Sequence, residues 1–128
     1  MRRRARTDAN QTEIVKQLRR IPNLSVEITS RMGDGFPDIV VGYCGVNILL
    51  EIKDPEKSAS RRKLTNDEEH FQRNWKGQYT VVSTIEDCVV ALVYNIQPRD
   101  VVSLNIWTQG IWGISASDIV EKWVKQGV

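Results

Sequence analysis

The stretch that decides the fold is GDGFPDIVVGYCGVNILLEIKD, residues 33–54. It contains two β-prone segments, Asp38–Gly42 and Val46–Lys53, separated by Tyr43-Cys44-Gly45. Gly45 can adopt the positive φ that tight hairpin turns require. The pattern therefore predicts a β-hairpin with a two-residue turn at Cys44-Gly45.

The predicted turn fixes the register of the two strands. Residues that face each other then have numbers that sum to 89, so Asp38 lies opposite Glu51. Because side chains alternate along a strand, Lys53 shares the face of both acids. The opposite face carries only apolar side chains, namely Ile39, Val41, Ile48, Leu50 and Ile52. Charge and hydrophobicity therefore agree on one register.

Two carboxylates that face each other at about 5 Å repel by on the order of 3 kcal/mol at an effective dielectric near 20. A shared proton could offset this repulsion, but a hard divalent cation is the more usual solution. We expect Mg²⁺ bound by Asp38, Glu51 and the carbonyl of Ile52, with water as the remaining ligands. The ammonium of Lys53 could then orient a water or stabilise charge on a phosphoryl oxygen.

The segments around the hairpin predict alternating helices and strands. A helix with the apolar stripe Ile14, Val15, Leu18 and Ile21 precedes a strand from about Leu24 to Ser30. Capping boxes predict helices after Thr65, with Phe71 and Trp75 buried, and after Thr84. The remaining predictions are a strand at Gln78–Ser83, a strand near Val101–Trp107, and a last helix that is capped by Ser115 or Ser117 and buries Ile119, Val120, Trp123 and Val124.

Composition and charge are those of an ordinary globular protein. Apolar residues make up 41 % of the 128 residues and charged residues 27 %, with a net charge of +2. No apolar run approaches the roughly 20 residues that a transmembrane helix needs, and no apolar segment follows the basic start MRRRAR. We therefore expect one domain, 1–128, with a core over about 7–97 and a strand–helix extension over 98–128, in the cytoplasm.

Several motifs carry a resemblance to a known family. Pro37-Asp38 followed by Glu51-Ile52-Lys53 resembles the PD-(D/E)XK pattern of the restriction-endonuclease-like superfamily. The segments RTDANQTEIVKQLRR (6–20), GDGFPDIVVGY (33–43) and KLTNDEEHFQRNW (63–75) are similar to small phage and prophage nucleases of the VRR-NUC group. The likeness covers roughly residues 5 to 95.

The resemblance implies an α/β fold with an αβββαβ core and a mixed central sheet, and a Mg²⁺- or Mn²⁺-dependent DNA endonuclease. It places the catalytic residues at Asp38, Glu51 and Lys53 and adds Glu13 of the first helix as a metal ligand. The chain departs from the family at Glu68, because related nucleases often carry Gln early in the second helix. Here a Gln appears one turn later, as Gln72.

The implied substrate is DNA that is recognised by its structure, such as a Holliday junction or a flap in phage replication, recombination or repair. Basic side chains are expected to contact its phosphates, which conveys no sequence preference. These candidates are Arg3, Arg4, Arg61, Arg62 and Lys63, with Gln72 as a further contact. Cleavage of a four-way junction would need two active sites and hence a homodimer.

Two alternatives stay open from the residues alone. One is a nucleic-acid-binding or assembly protein that keeps the nuclease fold without catalysis. The other is a sugar- or RNA-directed hydrolase that uses Asp38 and Glu51 as paired acids. The second is disfavoured because Lys53 suits phosphates and because no aromatic sugar-binding platform is expected beside the acids.

Overall fold

The computed structural model describes residues 9–55 and 63–127. Four strands form one mixed sheet in the order β1-β2-β3-β4, in which β3 and β4 are parallel and the other neighbours antiparallel. The elements are α1 (Ala9–Leu18), β1 (Ser25–Ile28), β2 (Ile39–Tyr43), β3 (Val46–Ile52), α2 (Asn66–Asn74), β4 (Tyr79–Val82), α3 (Ile85–Asn95), α4 (Pro98–Trp112) and α5 (Ala116–Gln126). The protein is therefore an α/β protein whose mixed sheet is flanked by helices.

The predicted hairpin register is confirmed. Ile39 pairs with Leu50 and Val41 pairs with Ile48, so the numbers of paired residues sum to 89. Both turn residues have positive φ, 51° at Cys44 and 80° at Gly45, as expected for a two-residue hairpin turn. The predicted apolar face is also confirmed, because its five side chains are at most 4 % exposed.

The hydrophobic core lies on this apolar face of the sheet. Helices α1, α3, α4 and α5 all contribute buried side chains to it, among them the predicted Ile14, Val15 and Leu18 of α1. In contrast, α2 has no fully buried residue, and its contacts are with the other face of the sheet. The two faces of the sheet are thus covered by different sets of helices.

The predicted strand at Val101–Trp107 is wrong. This segment belongs to α4, which begins at Pro98 and ends at Gly113, a glycine with a left-handed φ of 74°. Helical spacing places Leu104 and Thr108 in the interior, both with no exposed area. The C-terminal extension is therefore a pair of helices, and its α5 is capped by Ser115, one of the two predicted caps.

Three predicted inward side chains are instead largely exposed. Trp75 of the second helix region is 44 % exposed, and Trp123 and Val124 of α5 are 39 % and 46 % exposed. Trp75 is the C-cap of α2 and has an extended backbone. It therefore lies at the end of the helix and not within the turns that pack on the sheet. Over the residues described, no helix is both long and apolar enough to cross a membrane.

Candidate functional site

Backbone contacts fix Asp38 at the start of β2. The Thr29 N–H donates to the Asp38 carbonyl at 2.8 Å, and the Thr29 hydroxyl donates to the carbonyl of the buried Pro37 at 2.7 Å. On the other side, the Ile52 N–H donates to Asp38 Oδ2 at 2.8 Å. The end of β1 and the end of β3 therefore hold this carboxylate between them.

Glu51 lies beside Asp38 and is only 2 % exposed. Burial, followed by the charges of Asp38 and Glu68, raises the pKa of Glu51 to about 9. Burial also raises the pKa of Asp38, against the opposing effect of its hydrogen bond from Ile52. Without a cation, the cluster therefore holds a proton on Glu51 at neutral pH, which is the shared-proton solution to the repulsion of the two acids.

Lys53 contacts two acidic side chains. Its Nζ lies 2.7 Å from Glu68 Oε1 and 3.5 Å from Glu51 Oε2. Burial favours the neutral amine, but the hydrogen bonds and charges of Glu68 and Glu51 outweigh it and raise the pKa of Lys53. For Glu68, burial is likewise outweighed by the bonds from Lys53 and the Thr65 N–H, and the pKa of Glu68 is lowered. Lys53 is therefore a fixed cation between two acids.

Glu68 is the site residue whose position the sequence left open. Its side chain completes the capping box of α2 with Thr65 and, with the same oxygen, accepts the hydrogen bond from Lys53. The capping-box spacing revealed the first contact but gave no sign of the second, since that depends on how α2 packs on the sheet. Glu68 thus points into the site, and Gln72 does not replace it.

The donor groups available to a metal are two carboxylates and a carbonyl. The N–H and C=O of one strand residue point to the same side, so the Ile52 carbonyl faces the Asp38 side of β3. Among the described residues, no group of three His, Cys, Asp or Glu side chains has the geometry of a metal site. Two carboxylates and a carbonyl still fit Mg²⁺, which commonly keeps several waters and uses only one or two protein carboxylates.

The turn before Asp38 positions α2 over the site. Gly35 has a φ of 81°, and a Cβ there would collide with the backbone of Asp67 in the first turn of α2. The neighbouring Phe36 ring packs edge-on against Phe71 with centroids 5.2 Å apart. The glycine-rich turn and α2 are therefore in direct contact, and this contact brings Glu68 to Lys53.

An aromatic cluster adjoins the acids, contrary to the sequence expectation. Phe71 stacks on Trp75 at 5.1 Å and contacts Tyr79 at 5.9 Å between ring centroids. Tyr79 lies on the same face of the sheet as Glu51, because Tyr79 pairs with Leu49 and Val81 pairs with Glu51. Burial and the charges of Glu51, Glu68 and Asp38 raise the pKa of Tyr79 to about 12. The sequence gives no sign of the cluster, because its members come from α2, β4 and the turn before β2.

A second missed residue is Asn10 of α1. Its side-chain amide donates to the carbonyls of Lys53 and Ser83, each at 3.1 Å. These carbonyls follow β3 and β4, so Asn10 ties together the two strand ends beside the site. Its position on a helix gave no sequence signal for this contact.

The structure does not bring Glu13 into the acidic cluster. Glu13 is exposed on α1, and its Oε2 accepts a hydrogen bond from Gln17 at 2.7 Å. Gln17 in turn accepts a hydrogen bond from Trp112 of α4. In the described part of the chain, Glu13 forms no three-residue metal-site group with Asp38 and Glu51, and its role as a metal ligand stays a prediction.

The predicted phosphate contacts are only partly visible. Lys63 and Gln72 are exposed and line one shallow hollow with Leu64, Glu69 and Arg73. Arg3, Arg4, Arg61 and Arg62 lie outside the described residues.

Comparisons of the chain with protein-family models, with curated proteins and with solved structures found no match.

Proposed function

We propose that this protein is a metal-dependent endonuclease with a restriction-endonuclease-like PD-(D/E)XK fold, which hydrolyses phosphodiester bonds in branched or flapped DNA. The observation that carries the proposal is the pair Asp38 and Glu51, two adjacent carboxylates of which one is 2 % exposed, with the Lys53 ammonium 3.5 Å from Glu51. Replication, recombination or repair of phage DNA is the setting that the sequence resemblance suggests.

The burial of Glu51 supports a cation-binding role. A buried acid with a pKa near 9 costs stability at neutral pH relative to an apolar residue, and nothing in the core requires it. Mg²⁺ or Mn²⁺ held by Asp38, Glu51 and the Ile52 carbonyl would replace the proton on Glu51. Such an ion supplies charge neutralisation at the phosphodiester and activation of water.

Lys53 is the group that would act on the substrate directly. It is fully charged, because its pKa is raised, and it is 13 % exposed in its side chain, so its position is fixed. A fixed cation beside a phosphoryl group stabilises the negative charge that develops during hydrolysis. The ion pair with Glu68 keeps the ammonium at the site before DNA binds.

The test is cleavage of a small panel of DNA: linear duplex, single strand, flap, splayed arm and four-way junction, each with Mg²⁺ or Mn²⁺. We expect metal-dependent cleavage that Lys53→Ala reduces by about 10²- to 10³-fold, the usual loss when one such charge-stabilising group is removed. Lys125→Ala is the matched control, because Lys125 is an exposed lysine that pairs with Glu121 on α5.

The outcome also separates the two main alternatives. Cleavage that both lysine variants retain would exclude this site as the active site. Binding of DNA without cleavage of any substrate would indicate the non-catalytic binding protein instead. Thermal unfolding of both variants checks that each is still folded at the assay temperature. A folding defect is then not mistaken for lost catalysis.

A further inference from the structure

The aromatic rings next to the acids form a continuous row from the site to the surface. Tyr79 lies on the same face of the sheet as Glu51, two residues before Val81, the β4 partner of Glu51. Phe71 contacts Tyr79, and Trp75 stacks on Phe71. Trp75 follows Glu68 by seven residues along α2, which corresponds to about 10 Å at the rise of an α-helix. The outermost ring is therefore close to the proposed scissile phosphate but not in the acidic cluster.

Trp75 presents one free face. Its inner face is stacked on Phe71 with only 17° between the ring planes, yet the residue remains 44 % exposed. At the edge of the ring, a Cβ on Gly77 would lie 2.9 Å from Trp75 Nε1, so the chain turns closely around the indole. The ring is thus held in place from behind and from one edge, which lowers the entropy that a ligand must remove on stacking.

The charges around Trp75 favour an anionic polymer. All acids of α2 lie in its first turn, whereas Arg73 and Lys76 flank Trp75 at the other end. An exposed indole at the basic end of a helix combines a stacking surface with positive charge, the two features by which proteins bind the bases and phosphates of single-stranded nucleic acid. A neutral sugar would gain nothing from the two cations.

We infer that Trp75 stacks on an unpaired base of the substrate, close to the phosphate that is cleaved. The inference rests on the proposed function and narrows its substrate to DNA with a single-stranded segment, such as a flap or splayed arm. In a fully paired four-way junction every base is already stacked in a duplex, so none is available to Trp75. The platform therefore selects among the branched substrates.

The experiment compares the binding of a fluorescein-labelled single strand and a duplex of equal length by anisotropy, without divalent cations. Trp75→Ala is expected to weaken binding of the single strand by about 5- to 100-fold, while binding of the duplex changes by less than about twofold. Trp75→Phe keeps an aromatic face and should retain most of the affinity. Trp107→Ala, at a tryptophan of α4 that is 38 % exposed, is the matched control and should bind as the parent does.

Several results would overturn the inference. Trp75→Ala could bind the single strand as tightly as the parent does. It could also lose affinity for the single strand and for the duplex by the same factor. A Trp75-dependent affinity for a neutral oligosaccharide such as xylohexaose, without affinity for DNA, would point to the sugar-directed alternative. Thermal unfolding of Trp75→Ala and Trp75→Phe shows whether a loss of binding is a loss of fold.

The same measurements keep the inference and the proposed function apart. Binding is assayed without divalent cations, so it does not depend on catalysis. If flap DNA is cleaved with Mg²⁺ but Trp75→Ala binds normally, the nuclease stands and the platform is rejected. If the parent binds single strands through Trp75 but cleaves none of the panel, the platform stands as a DNA-binding feature and the nuclease is rejected.

Discussion

Leu50 and Glu51 are neighbours on β3 and are equally buried, each 2 % exposed, but they face opposite sides of the sheet. Leu50 packs into the hydrophobic cluster with the helices. Glu51 faces Asp38, Lys53 and Glu68. The same degree of burial therefore stabilises the fold on one side and opposes it on the other. One face of the strand packs into the core, and the other carries a buried ionisable group that folding alone does not need.

The contrast teaches where to look for function. Leu49 shares the face of Glu51 and is 7 % exposed, so an apolar residue is acceptable on this side of the sheet. A chain selected for stability alone could carry one at position 51 as well. Local choices that lower stability without a structural reason are typical of functional sites. The acid at position 51 is therefore the feature of the described residues that most supports the proposed active site.

The largest expected effect is the difference in the free energy of unfolding between substitutions at Leu50 and at Glu51. Leu50→Ala should lower the free energy of unfolding by about 2–5 kcal/mol, because it removes buried methyl groups from the core. Glu51→Gln keeps nearly the same volume and removes an ionisable group from a buried position, so we expect it to be neutral or stabilising. Urea denaturation without divalent cations measures both. A large destabilisation by Glu51→Gln would mean that Glu51 is a structural residue.

The second prediction concerns pH. The pKa of Glu51 is raised to about 9 in the folded protein, from a model-compound value of 4.5. Below pH 4.5 the acid is protonated in both states, and as pH rises toward 9 only the unfolded state ionises. The free energy of unfolding should therefore fall as pH rises between about 5 and 9, by up to about 1.4 kcal/mol per pH unit.

Glu51→Gln tests the origin of this pH dependence. The variant lacks the titrating group, so its stability should vary much less over the same range, with a smaller remaining contribution from the raised pKa of Asp38. Urea denaturation in a chelating buffer at several pH values measures both proteins. Identical slopes in the parent and the variant would assign the pH dependence to other groups.

The register of the hairpin could be predicted because two independent patterns demand it. Shifting the pairing by one residue would expose Ile39 and Leu50 and bury Lys53 in the core, so apolar and charged residues specify the same alignment. The positions of Asp38, Glu51 and Lys53 follow from it. Glu68 and Trp75 could not be placed in this way, because their proximity to the acids depends on the packing of α2.

The error at Val101–Trp107 has a local cause. Valine and tryptophan favour strands by propensity, and the predicted strand followed that preference. The helix is specified instead by Pro98 in its first turn, Gly113 at its end, and the spacing of Leu104 and Thr108 on one face. Tertiary burial of that face decided the outcome over residue propensity.

The third prediction tests the cation site and the role of Glu13 as a metal ligand, which the sequence resemblance implies. Mg²⁺ or Ca²⁺ should stabilise the parent, by about 2.7 kcal/mol at a hundredfold excess over Kd, and Asp38→Asn should remove this gain. Glu13→Gln should retain it, because Glu13 is exposed and its carboxylate is hydrogen-bonded to Gln17. Thermal unfolding with and without the cation gives all three values. If Glu13→Gln also loses the stabilisation by the cation, Glu13 is a metal ligand, as the sequence resemblance implies.

The smallest expected effect comes from Glu68→Gln, which removes one charge from the site and leaves α2 intact. Gln can complete the same capping box with Thr65, so the helix should keep its start. The charge and hydrogen bond of Glu68 both raise the pKa of Glu51, and Glu68 also occupies Lys53. The variant should therefore lower the pKa of Glu51 and free Lys53 to pair with it.

Titration of the glutamate carboxyl carbons by NMR measures this change. Stability should change by no more than about 1 kcal/mol, because Gln can still accept the hydrogen bond from Lys53. Affinity for DNA should rise a few-fold, since an anion beside the phosphate is removed. Glu69→Gln, at the exposed next residue of the same helix, is the matched control and should leave the pKa of Glu51 unchanged. If Glu69→Gln moves that pKa as much as Glu68→Gln does, the effect is the general charge of α2 and not the Lys53 contact.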